Sequence, residues 1–312
     1  MTEIQSDPEA SADQTRQPCP APANFAHELA SYDRLASVGH FQGPRHRMTY
    51  RTLGQGPPLI LSPGIASTYR GYALLLNKLS ERFQTIIYEY PGDHIDDGAR
   101  LSKITHEHMV DDLFSLIDHL SLGRVFLVGI SFGSTITLSA LRREPRRFPK
   151  AAIQGGFAFR RFSRAERLAL RFGRLMPGTL ANLPFREPVL AHNGKSEFPS
   201  VILDRWPIYS EENALTPIAP MAHRLDLLGR LDLRPVLKDI PTEILILQGS
   251  EDRIVPRALH DELHAGLPRG QSVIMPLLGH QTHYTAPEAM AYTIGEFFLP
   301  CVPGGCPNEP KD

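Results

Sequence analysis

The chain alternates between short apolar runs and amphipathic stretches for most of its length. Apolar or β-branched runs closed by turn residues predict buried strands at Arg47–Leu53, Leu59–Ser62, Phe83–Tyr90, Val125–Val128, Lys150–Gly156, Glu243–Gln248 and Ser272–Met275. Between them, apolar residues recur at three- and four-residue spacing. That spacing predicts helices over 69–81, 105–120, 132–143, 257–267 and 287–298. Strand and helix in strict alternation imply an α/β fold, with a mostly parallel sheet and helices on both faces. An earlier helix is expected from Phe25 to about Ser37, capped by Asn24, with Phe25, Leu29, Tyr32 and Leu35 on one side.

The rhythm breaks between Phe157 and Lys238. Helical patches at 164–175, 198–208 and 219–228 are interrupted by prolines, and no strand is legible. The expected organisation is therefore a disordered tail and N-terminal helix over 1–44 and a core from 45–156 and 239–299. A helical lid over 157–238 lies across the sheet's C-terminal edge, and a second disordered tail covers 300–312.

Bulk composition narrows the class. The 312 residues are 42% hydrophobic and 21% charged with a formal net charge of −1, which argues against general affinity for nucleic acid or membrane. No apolar run approaches the roughly 20 residues of a membrane span, and the polar, acidic N-terminus has no signal-peptide character. Cys19, Cys301 and Cys306 lie in Pro-rich ends and are too few for a disulfide framework. Together these features predict a cytoplasmic protein.

The chemistry centres on Gly129-Ile-Ser-Phe-Gly133, a G-x-S-x-G match placed between a buried strand and a helix. A sharp turn there would strain Ser131, and the glycines remove the Cβ clashes around it. A serine nucleophile needs a base, an acid to orient the base, and donors for the oxyanion. Asp252 lies in the loop after the Glu243–Gln248 strand, and His280 in the loop after Ser272–Met275. All three residues fall at the C-terminal ends of strands, where a parallel sheet places its sites. Each has a plainer reading: Asp252 could cap the helix beginning near Pro256, and His283 competes with His280.

On these motifs, together with Gly249-Ser-Glu-Asp252, Val255-Pro256 and Gly279-His280, the chain resembles the α/β-hydrolase superfamily over about residues 45 to 299. The resemblance is to its lidded branch of esterases and C–C hydrolases. It implies that Ser131 attacks a carbonyl, His280 takes its proton and Asp252 holds the imidazolium. It places the oxyanion hole at the backbone N–H groups of Ile65 and Phe132, and it implies neither metal nor cofactor. Serine at the nucleophile position disfavours the dehalogenase and epoxide hydrolase branches, which use Asp there.

Two departures from the family pattern stand out. Pro63-Gly64 replaces the usual His-Gly before Ile65, and Pro91-Gly-Asp-His-Ile-Asp-Asp97 replaces a glycine-rich loop. The carboxylates Asp93, Asp96 and Asp97 beside His94 read as a solvated loop rather than a metal site. From Arg142 to Arg174, eleven basic side chains face only Glu144 and Glu166. They read as a solvated helical face, with attraction of an anionic substrate, acyl-CoA or acyl carrier protein as the functional alternative. Trp206 and Phe157 are the candidates for a substrate pocket, against simple packing of the lid.

The leading expectation is a serine hydrolase acting on a small-molecule ester or thioester through an acyl-enzyme. A C–C bond hydrolase of the same fold is the alternative, and a non-catalytic ligand-binding receptor or scaffold is the alternative of another class.

Overall fold

The apolar runs pair into one eight-stranded sheet in the order β1-β2-β4-β3-β5-β6-β7-β8. The strands are β1 (Ser37–Gln42), β2 (Arg47–Leu53), β3 (Pro58–Ser62), β4 (Gln84–Tyr88), β5 (Phe126–Ile130), β6 (Lys150–Gln154), β7 (Glu243–Gly249) and β8 (Gly270–Met275). β2 runs antiparallel to both neighbours, and every other pairing is parallel. The computed structural model describes residues 23–299 apart from Ser67 and Ile95, so the expected tails, with Cys19, Cys301 and Cys306, lie outside the described residues.

The central strands read as continuous apolar runs because both sheet faces are covered. In β7, Ile244 and Ile246 enter one core cluster while Leu245 and Leu247 enter the other. β5 divides in the same way, with Leu127 on one face and Phe126 and Val128 on the opposite one.

The helices are α1 (Phe25–Leu35), α2 (Ala73–Ser80), α3 (His106–His119), α4 (Phe132–Arg143), α5 (Arg164–Gly173), α6 (Arg186–Gly194), α7 (Arg205–Ala214), α8 (Ile218–Leu228), α9 (Arg257–Gly266), α10 (Thr282–Thr285) and α11 (Pro287–Phe298). The stripes of α3 and α4 fill one face of the sheet, and those of α1, α2 and α11 the other. None of the described helices is long and apolar enough to cross a membrane.

Three features differ from the sequence reading. β1 occupies 37–42, where a helix end and tail are expected. It is an edge strand with a mostly exposed pattern, so it carries no apolar alternation to betray it. The patch expected at 198–208 divides instead into a single 3₁₀ turn, Ser200–Ile202, and the start of α7. α6 begins at Arg186 after Phe185 in a left-handed conformation, with Pro188 tolerated in its first turn.

All of α5 to α8 lies between β6 and β7. The later part of this insertion is pinned to the core by buried arginines. Arg205, 1% exposed, donates to the carbonyls of Tyr284 (2.6 Å) and Ala23 (3.0 Å). Arg224, 2% exposed, donates to the Ile65 carbonyl at 3.0 Å and pairs with Asp93 at 2.8 Å.

Candidate active site

β5 ends in a turn so tight that its serine adopts φ 51° and ψ −112°. Such a backbone conformation costs on the order of 1–3 kcal/mol in a residue other than glycine. The serine N–H donates to the Gln154 carbonyl at 2.9 Å, which ties the elbow to β6. The flanking glycines serve close approach. A Cβ on Gly129 would stand 2.5 Å from Thr137 Oγ1, and one on Gly133 would collide with the Ser62 carbonyl. Helix α4 can therefore start directly against β3, with the Phe132 N–H at its N-terminus.

Asp252 and His280 meet beside this elbow. His280 Nδ1 lies 2.8 Å from Asp252 Oδ2, and both side chains are buried. The other aspartate oxygen accepts the N–H groups of Ile254 (2.9 Å) and Val255 (2.8 Å). One carboxylate thus caps a local turn and holds an imidazole at once, and α9 follows Pro256 without a side-chain cap. The two loops are laced together: Ser250 N–H donates to the Met275 carbonyl (3.0 Å), Glu251 N–H to that of Leu278 (2.9 Å), and Leu277 N–H to Ser250 Oγ (2.9 Å). Gly155, at φ +56°, leaves the space the imidazole needs, since a Cβ there would lie 2.8 Å from His280 Cε1.

His283 is placed differently. It is buried in α10 and stacks on Tyr72 with ring centroids 4.5 Å apart, and among the described residues neither ring nitrogen has a hydrogen-bond partner. Burial pushes its pKa down to about 3, with the neighbouring His280 adding to the shift. It is a neutral packing group at ordinary pH.

The loop after β3 carries Ile65, half-buried, behind Pro63 and Gly64. Where the family pattern has a histidine, tyrosine hydroxyls fix this backbone. The Gly64 N–H donates to Tyr72 Oη at 2.7 Å, Tyr90 Oη donates to the Pro63 carbonyl at 2.9 Å, and Ser62 Oγ lies 3.1 Å from Tyr88 Oη. The insertion holds the same loop from above through Arg224 on the Ile65 carbonyl and Thr216 Oγ1 on that of Ala66 (3.2 Å).

It also grips the histidine loop. Glu197 Oε2 accepts the Gln281 N–H at 2.7 Å, and Tyr209 Oη lies 3.2 Å from Gln281 Nε2. Burial raises the Glu197 carboxyl above the usual carboxylate range, while those backbone donors pull it back. Only a glycine at 279 admits this carboxyl, because a Cβ there would occupy its position. Tyr72, Glu197 and Arg224 carry no motif, so nothing in the sequence marks them.

The remaining candidates are placed as follows. Phe157 is buried in the core cluster that contains Phe132. Trp206 packs edge-on against Phe198 and beside Tyr209. Neither lines the apolar cavity of about 340 Å³ between the insertion and the two loops, whose walls include Leu180, Leu183, Leu190, Tyr209, Ile254 and Gln281. In the acidic loop, Asp93 pairs with Arg224, and Asp97 accepts the N–H groups of Gly92 (2.5 Å) and Ala99 (2.7 Å). These carboxylates are spent on the loop and its neighbours.

The chain is similar to known proteins over most of its length. The alpha/beta hydrolase family model matches residues 59–291. A 2-(acetamidomethylene)succinate hydrolase of Mesorhizobium japonicum is 24% identical over 263 residues, covering 81% of this chain and 92% of that protein. An (E)-2-((N-methylformamido)methylene)succinate hydrolase of Acinetobacter baylyi is 24% identical over 239 residues, with 77% and 89% covered. The enol-lactonase of Burkholderia xenovorans superposes with a TM-score of 0.72 at 20% identity, over 83% of this chain and 99% of that one.

Proposed function

As the chain belongs to the alpha/beta hydrolase family, we propose that it is a serine hydrolase cleaving a carboxylic ester or thioester through an acyl-enzyme. The observation that carries this reading is the 2.8 Å contact of His280 Nδ1 with an aspartate whose second oxygen is already held by two backbone donors. Such an aspartate fixes the imidazole tautomer and leaves Nε2 as the base.

Ser131 Oγ attacks the substrate carbonyl as His280 Nε2 takes its proton, and Asp252 stabilises the imidazolium. The N–H groups of Ile65 and Phe132 receive the oxyanion. Collapse of the tetrahedral intermediate expels the alcohol or thiol, protonated by His280. Water, deprotonated by the same nitrogen, then releases the acid. No step requires a metal or cofactor. The insertion serves as the lid, and the 340 Å³ cavity accepts an apolar portion of the substrate.

A fluorophosphonate probe tests the reading. Labelling of the folded protein that disappears in Ser131→Ala is expected, and no labelling of the wild type would sink it. Two relatives are named for hydrolysis of methylene succinates rather than simple esters, so C–C or amide cleavage by the same residues is the second reading. Activity on p-nitrophenyl esters of graded chain length separates them: a protein that labels with the probe yet leaves every ester intact favours the second. A ligand-binding scaffold without turnover would neither label nor hydrolyse.

A further inference from the structure

Helix α5 exposes its apolar side chains to solvent. None of its residues is buried. Leu168 and Phe172 are 55% and 64% exposed, and Leu175, just past its end, is 82% exposed. Their spacing of four and three residues places them in one stripe. The helix rests on α8 by its other side, where a Cβ on Gly173 would lie 3.0 Å from Ala222 Cβ and Arg174 pairs with Asp226 at 2.8 Å.

Along the edge of that stripe stand Arg164, Arg167 and Arg171, one turn apart, lining a groove of about 610 Å³ between α5 and α8. Among the described residues no carboxylate pairs with any of the three. Asp226 is taken by Arg174 and Arg230, and Glu166 closes a capping box with Ser163. The chain's overall charge of −1 conceals this local excess.

We propose that α5 seats the protein on an anionic lipid surface. Leu168, Phe172 and Leu175 enter the boundary between headgroups and acyl chains, and Arg164, Arg167 and Arg171 meet the lipid phosphates. Unpaired guanidiniums beside a protruding apolar stripe match a negatively charged interface in both respects. A second copy of this chain is a poor occupant, since a two-fold contact through α5 would bring the unpaired arginines of both copies together. The proposal stands on this surface alone and does not depend on the role of Ser131.

The test is co-sedimentation of the full chain with vesicles of phosphatidylcholine alone or mixed with phosphatidylglycerol. Binding is expected to the mixed vesicles only, and to weaken at least tenfold when salt rises from about 0.1 to about 0.5 M. The triple variant Arg164→Gln/Arg167→Gln/Arg171→Gln is expected to lose about a hundredfold in partitioning. Leu168→Asp/Phe172→Asp is expected to lose at least tenfold, with melting temperature and circular dichroism unchanged in both. Failure of the wild type to bind mixed vesicles, or variants that bind as it does, would overturn the proposal. So would a wild-type dimer that the arginine variant dissociates, or arginine-dependent binding of acyl carrier protein, in the absence of vesicle binding.

Discussion

The two parts of the insertion between β6 and β7 obey opposite rules. Around α7 and α8, charged side chains are buried and reach the core: Arg205 donates to Tyr284, Arg224 to Ile65, and Glu212 meets Thr68 and Arg70 at 2.8 and 2.6 Å. Around α5, Arg164, Arg167 and Arg171 have no carboxylate partner among the described residues and stand beside exposed leucine and phenylalanine. The first part behaves as an extension of the core and completes the loops around Ser131. The second buries none of the residues of α5 and rests on α8 by one side only. A single insertion is therefore two devices with different tolerances.

That contrast can be broken first at the loop the inner part grips. His280→Ala is expected to lower turnover about 10⁴-fold or more, whereas His283→Ala should cost less than about tenfold, because His283 only packs. Rates on a p-nitrophenyl ester decide it, and equal losses would overturn the assignment of His280 as the base. Next is Arg224→Ala, which strands Asp93 and the Ile65 carbonyl beneath the insertion. Loss of one partner of a buried pair costs about 3–5 kcal/mol, read from denaturant unfolding. A change below about 1 kcal/mol would mean that the inner part is not anchored there.

Acid should loosen the interior before it touches α5. Burial lowers the pKa of His106 to about 4 and that of His283 to about 3, and in α8 it lowers that of His223, whose Nε2 donates to the Ile104 carbonyl. The unfolded chain, with histidine near 6.5, then binds more protons than the folded one. Stability is fully present above about pH 6.5 and falls below it, by about 1 kcal/mol per pH unit for each such histidine, until the folded values are reached. Unfolding curves at pH 7 and pH 5 with the same midpoint would contradict this. The smallest effect belongs to α5: Arg167→Gln or Leu168→Ser should shift stability by no more than about 0.5 kcal/mol. A larger loss by thermal melting would show that this helix is structural after all.

The sequence made legible whatever depends on local order. Ser131, Asp252 and His280 stand at strand ends, and the strands announce themselves as apolar runs, so the positions of all three could be read before any coordinates. Strand β1 could not, because an edge strand with a solvated face needs no apolar alternation. The supports of the site were equally silent. Tyr72 fixes Gly64 across eight residues, Arg224 reaches Ile65 across 159, and Glu197 reaches Gln281 across 84. Such contacts depend on where the chain returns in space, and the residue type alone gives no sign of it. The arginine-rich segment was visible as composition, yet only exposure and missing partners distinguish it from an ordinary solvated helix.

The strained turn at Ser131 sets a limit on how this molecule can be improved. Glycine tolerates φ 51° without the penalty serine bears there, so Ser131→Gly should raise the melting temperature while abolishing fluorophosphonate labelling. A laboratory selection for heat resistance alone would therefore favour discarding the proposed nucleophile. Any breeding scheme for this protein has to screen for turnover at every round.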